Sequence, residues 1–318
     1  MSNNLAGWYE PPKSKSNPNS SRQHRKKTKP SLSHSQKRNP NVALDDGWNL
    51  VTNPPSARRL QSSVPNSSGI LGKGINDNAG GNGKIQPGLS LEGLKLEFAR
   101  METQYKESAC ARRVQGIVDT WRKSSGEVAN AVCLALGSFS AEGGGDRMRS
   151  LWQLVLFMFV VEELRQSRKG EEMEVFAQEP RFTDLDVEFL TALGVDVVQP
   201  PEAKNRIEET SFLYAPFLQW EVLLPGVLHD ARPTLFLGND VAGMAAMLQE
   251  LGKYGLGVTS HSGQEGDEIS MDVVAECAKI ARDFWDLYQG RGDVGSFEEH
   301  ETALRGLVMM WKEDEPVG

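Results

Sequence analysis

Cysteine is scarce in this 318-residue chain, and the three present, Cys110, Cys133 and Cys277, form no C-x-x-C pair. An odd, scattered set argues against a disulfide framework and a structural zinc site, and it suits a reducing compartment. Long hydrophobic runs are also lacking. The longest, LWQLVLFMFVV at Leu151–Val161, falls short of the roughly 20 residues needed to span a bilayer, and it reads as a buried helix. The first twenty residues are polar, with Pro and Asn, and lack the secretory signal pattern. A soluble protein of the cell interior is therefore expected, cytoplasmic and, through a basic cluster described below, nuclear. Neither G-x-G-x-x-G nor G-x-x-x-x-G-K-[ST] occurs, so the two glycine-rich phosphate fingerprints are absent. None of the five histidines has metal-ligand spacing with another His, Cys or carboxylate. No Ser-His-Asp order can be defended, and nothing marks a Cys or His as an axial heme ligand.

What is there is divided unevenly. Residues 1–89 carry 13 Lys and Arg against 4 Asp and Glu, whereas residues 90–318 carry 22 against 39. The first segment is rich in Ser, Asn, Pro and Gly, a composition that cannot bury enough apolar surface to offset ordering entropy, and it reads as a disordered basic tail. Two islands stand out in it: RQHRKKTK at Arg22–Lys29, and the acidic-aromatic DDGWNLV at Asp45–Val51. The basic run suits nuclear import, nucleic-acid contact or a solvated charge run. The acidic body disfavours nucleic-acid binding by the folded part. With 39% hydrophobic residues overall, the chain has enough apolar material for one large domain over residues 90–318.

Within that domain the apolar spacing alternates. Ser90 is placed to cap a helix over SLEGLKLEFARMETQYKESACARRVQGIVDTWRKS, with Gly116 as a kink or break. Buried strands follow at EVANAVCLALGS, EMEVFAQEP, VDVVQP, TSFLYAP and PTLFLGND. Helices lie between them, one capped by Thr183 and stopped by Gly194, another kinked by Pro225. Two closing segments, SMDVVAECAKIARDFWDLYQ and SFEEHETALRGLVMMWKED, read as helices. The alternation implies an α/β fold: a Rossmann-like, mainly parallel sheet of about five strands flanked by helices.

The order of the pieces carries a resemblance. LALGS, Gln153 in an apolar helix, EPRFTDLDVEFLTALG, FLYAP and LFLGN follow one another between residues 128 and 240. Together they resemble the SRR-like (Sensitivity to Red Light Reduced) domain family, closest to its fungal branch, with residues 241–318 as a helical extension. DDGWNLV resembles a short motif often found ahead of that domain. Matching positions are Gly137 and Ser138, Gln153, Pro180, Phe182, Leu193 and Gly194, Tyr214 and Pro216, and Gly238 and Asn239. The chain departs in two places. Glu179-Pro180 stands for the usual Asp-Pro, and Pro216-Phe217-Leu218 for the usual Pro-His-Cys, so any chemistry of that His and Cys is missing. The resemblance implies a regulatory protein, since members are implicated in circadian and light responses and in regulation of heme metabolism, and no agreed catalytic mechanism comes with it.

The candidate site follows from the strand ends. In an open parallel sheet, ligands bind beyond the carboxyl ends of the strands, where strand order reverses. Gly137, Ser138, Glu179, Tyr214, Asn239 and Asp240 are expected there, as a ligand cleft. Helix capping is the other reading of Ser138, Asn239 and Asp240. Glu179 lies 42 residues after Gly137, not the roughly 20 of the dinucleotide fingerprint. The cofactor is unidentified. A nucleotide-like ligand or heme, and unidentified protein partners, stay open beside an enzymatic alternative: a Rossmann-like transferase using a nucleotide-type cofactor.

Overall fold

Ser90 starts the first helix, α1 (Leu91–Glu107), its hydroxyl accepting the Gly93 N–H at 3.2 Å. Leu94, Phe98, Met101 and Tyr105 are the buried stripe, at helical spacing. This is a computed structural model, and it describes residues 83–124, 127–143, 145–166, 172–254, 258–259 and 268–313. The basic cluster, DDGWNLV, nearly all of the basic tail, His24, His34 and His261 lie outside the described residues. Just ahead of α1, Lys84–Gln86 pair with the loop that follows the first strand: Gln86 N–H donates to Ser140 O and Glu142 N–H to Lys84 O, both at 2.7 Å, around an antiparallel bridge from Ile85 to Ala141.

The break expected at Gly116 falls instead at Ser108. That residue ends α1 with extended backbone and caps α2 (Ala109–Ser124), its hydroxyl accepting the Ala111 N–H at 3.0 Å. A serine in extended conformation offers a helix start that Gly116, inside α2, does not. Both helices pack on α3 (Arg147–Gln166). That explains why α3 is apolar nearly all round: it is buried on the sheet side and again under α1 and α2.

The sheet has seven strands in the order β3-β2-β1-β4-β5-β9-β8. The strands are β1 (Asn130–Leu134), β2 (Glu174–Gln178), β3 (Asp196–Val197), β4 (Ser211–Ala215), β5 (Leu235–Asn239), β8 (Gly290–Asp293) and β9 (Leu307–Trp311). The first five run parallel, as expected. The expected five-strand, mainly parallel sheet is corrected to a mixed one, because β9 pairs antiparallel to both β5 and β8. The segment expected as the last helix is turns followed by β9. Its Leu307, Met309 and Trp311 join one core layer and Met310 the other, the period of two that a strand imposes.

The chain winds outward from β1 in both directions. After β1, α3 and α4 (Asp184–Ala192) cover one face with α1 and α2. The other face is covered by α5 (Glu202–Asn205), α6 (Trp220–Leu223) with its π-helical turn Leu224–Leu228 at Pro225, α7 (Val241–Tyr254) and α8 (Met271–Leu287). A small hairpin, β6 (Val258–Thr259) with β7 (Glu268–Ile269), joins α7 to α8. Gly194 stops α4 as expected, at φ +75°, with its N–H on Thr191 O and that of Val195 on Leu190 O. No described helix is long and apolar enough to cross a membrane.

Candidate functional site

Strand order reverses between β1 and β4, so the ligand crevice of such a sheet lies beyond Leu134 and Ala215. Left-handed backbone marks both sides of it. After β1, Ala135 sits at φ +60° and Gly137 at φ +75°; after β4, Phe217 sits at φ +52°. Two non-glycine residues in this region flank one point of the sheet, and such conformations persist only where neighbours hold them.

The neighbours connect four strand ends. Gly137 N–H donates to Glu179 Oε2 at 3.1 Å, and Arg181 N–H to Glu179 Oε1 at 3.0 Å. The end of β1 is thus tied to the end of β2. A Cβ on Gly137 would stand 2.8 Å from Ser150 Oγ in the first turn of α3. One residue earlier, the Arg149 guanidinium lies 5.2 Å over the Phe217 ring. Phe217 N–H donates to Asn239 Oδ1 at 2.6 Å, and Asn239 Nδ2 donates to Leu218 O at 3.0 Å. Asn239 is therefore the clamp of the turn after β4. Asp240 caps α7: its Oδ1 accepts from Ala242 N–H at 3.0 Å and its carbonyl from Met244 N–H at 3.1 Å.

Ser138 belongs to a buried network. Its hydroxyl donates to Asp186 Oδ2 at 2.5 Å and accepts from Ala141 N–H at 2.8 Å and Ser140 N–H at 3.1 Å. Asp186 also accepts from Phe139 N–H and Thr183 N–H, and Ser140 Oγ meets Thr183 Oγ1 at 2.6 Å. Ser138, Ser140, Thr183 and Asp186 are all buried. The network is an extended capping box, in which the amino end of α4 holds the loop after β1. Arg147 adds a second tie, donating from Nε to Phe139 O at 2.8 Å while ion-paired to Glu97.

Tyr214 and Asn239, expected just past strand ends, lie inside β4 and β5. Tyr214 is fully buried, its ring parallel to that of Phe157 with centroids 5.5 Å apart. Burial, then the Cys133 thiol, pushes its phenol well above the ordinary range. Gly137 and Glu179 are joined by a hydrogen bond and Asn239 holds the turn after β4, whereas Tyr214 packs in the core against Phe157 of α3. Gln153 is buried and donates to Ala303 O at 3.3 Å, holding the turns before β9 against α3. His300, expected in a charged helix, is in those turns with Nε2 3.3 Å from Asp146 Oδ2.

Arg149 and Asp186 were not singled out from sequence. Thr183-x-x-Asp186, a capping-box pattern, was a readable signal for the second; a lone arginine carries none. All three cysteines are free and buried. Burial pushes the thiol of Cys277 up to about 11 and raises that of Cys110. Among the described residues no cluster of His, Cys, Asp and Glu could hold a metal ion. A separate cavity of about 500 Å³ opens where α1 meets α2, lined among others by Cys110, Arg113 and Phe297.

No curated protein and no solved structure matches this chain at a significant level. A family model does. The one for the SRR1 domain matches residues 102–288, from within α1 to the end of α8, and so takes in the loops after β1, β2, β4 and β5. That match covers more than half of the chain, which belongs to the SRR1 domain family.

Proposed function

We propose that the chain is a regulatory, noncatalytic SRR1-domain protein that acts through protein partners or a ligand sensed at the strand-end crevice. Membership of the family supports the regulatory reading. One observation carries the noncatalytic part: the polar side chains of Glu179, Asn239, Asp240 and Ser138 are engaged by the chain's own groups. Glu179 holds two amides, Asn239 holds a turn, Asp240 caps a helix, and Ser138 serves Asp186. A general base or nucleophile must keep its reactive atom free for substrate. The Pro216-Phe217-Leu218 turn, without the family's His and Cys, supports the same reading.

The enzymatic alternative, a Rossmann-like transferase with a nucleotide-type cofactor, has the five-strand parallel order in its favour. Against it, the Gly137 N–H that would face a pyrophosphate is taken by Glu179. The pathways of the proposal are those of the family: circadian or light responses and heme metabolism, in cytoplasm and nucleus. The test is a thermal-shift screen of the purified chain against nucleotides, S-adenosylmethionine and heme, because a specific binder raises the melting temperature by mass action. Each binder is then incubated with the protein and assayed for conversion. Binding without conversion is expected; turnover would reject the noncatalytic reading.

A further inference from the structure

One cation beside the reversal point of the sheet is not answered among the described residues. Arg147, two residues before Arg149, is spent on Glu97 and Phe139 O. Asp146 caps α3 by accepting the Arg149 N–H at 3.1 Å, and it faces His300. A carboxylate already sits at the tip of this helix, so the helix end does not supply free positive charge. The Arg149 side chain is different. Among the described residues it has no carboxylate partner and no hydrogen bond, and its Nε is buried without an acceptor. Its guanidinium carbon lies over the Phe217 ring, 5.2 Å from the centroid. Arg113, beside the α1–α2 cavity, is exposed, and its charge acts on the Cys110 thiol.

Buried N–H groups in native proteins nearly always find an acceptor. A guanidinium offers parallel donors in a rigid plane that matches two oxygens of one acid group. The Phe217 ring lies against the Arg149 guanidinium, and Asn239 holds the Phe217 backbone by accepting its N–H. The position is the reversal point of the sheet, where ligands enter this architecture. We propose that Arg149 anchors an oxyanion, the carboxylate or phosphate group of a small ligand, in the crevice between the ends of β1 and β4. The role given to that ligand, sensing without turnover, rests on the regulatory reading; the site itself does not.

The test uses the full chain with inorganic phosphate, AMP and citrate as probes, at constant ionic strength with chloride as the control. Melting temperature is followed against probe concentration. A saturable rise is expected with the phosphate compounds or with citrate, and which series responds tells phosphate from carboxylate. Arg149→Gln should weaken the response about tenfold or more, as loss of a charge-assisted pair does, and Arg149→Lys, which keeps the charge without the fork, should fall between. Should Arg149→Gln fail to fold, Phe217→Leu keeps the arginine and removes its support, and it should weaken the same probe. The proposal is overturned if no probe stabilises the wild type, or if the wild type and Arg149→Gln respond alike, which would mean an adventitious ion only. Neither result touches the regulatory reading, which fails instead if a stabilising probe is chemically consumed.

Discussion

Ser138 shows how far a residue can be read from its type. As a plain helix cap its loss would cost about 1 kcal/mol. In the fold its hydroxyl serves Asp186 and two amides in a buried network. Ser138→Ala should therefore cost more, about 2–4 kcal/mol, because buried partners are left unsatisfied. A urea melt of the variant checks this, and a cost near 1 kcal/mol would mean the network reforms around water. Gly137→Val should lose about 3 kcal/mol, since valine strains at φ +75° and its Cβ would press on Ser150 Oγ. The same denaturation experiment reads it. Gly137, Ser138 and Glu179 follow strands β1 and β2, as the apolar runs before them suggest, but the sequence could not assign their partners. Those partners come from elements 20 to 50 positions away, and pairing of that kind is a property of the closed fold.

Among the elements, the five parallel strands were legible because each is a short apolar run bounded by turn residues. The antiparallel pair was not. GLVMMW beside acidic and basic neighbours satisfies a helical spacing as well as a strand, and GRGD has no apolar pattern at all. What makes Gly290–Asp293 a strand is space. A Cβ on Gly292 would meet Ile117 of α2 at 2.6 Å, and one on Gly290 would run into the Trp311 indole. Gly292→Val should lift β8 from α2 and cost about 1–3 kcal/mol through overpacking. Hydrogen exchange should show faster loss of protection in β8 with β1 and β4 unchanged. Uniformly faster exchange in all strands would show that β8 does not open as a separate unit.

At the scale of the whole molecule, buried acids set the alkaline limit. Burial raises Cys277 to about 11 and also raises Cys133, Tyr105, Tyr214 and Tyr288. These groups hold their protons more tightly when folded. The unfolded chain therefore loses protons first as pH rises, and stability falls. Stability should be level up to about pH 8.5, the ordinary thiol value, then decline as pH rises through about 11. Urea midpoints taken across that range, beside Cys277→Ala with a shallower slope, test it. The tail makes a separate prediction. Replacing Arg25, Lys26, Lys27 and Lys29 with Ala should lower the nuclear fraction of a tagged protein; an unchanged distribution would leave that cluster a solvated charge run.

The short ladder between residues 84–86 and 140–142 has a mechanical meaning. Its outer rung joins Lys84 to Glu142 and its inner rung joins Gln86 to Ser140. A pull along the chain from residue 83 loads these rungs one after another, as in peeling, and not together, as in shear. Peeling needs little force, and its front advances toward Ser140, whose N–H rests on the Ser138 hydroxyl. A load applied at residue 83 would thus reach the loop after β1 through Ser140 and Ser138.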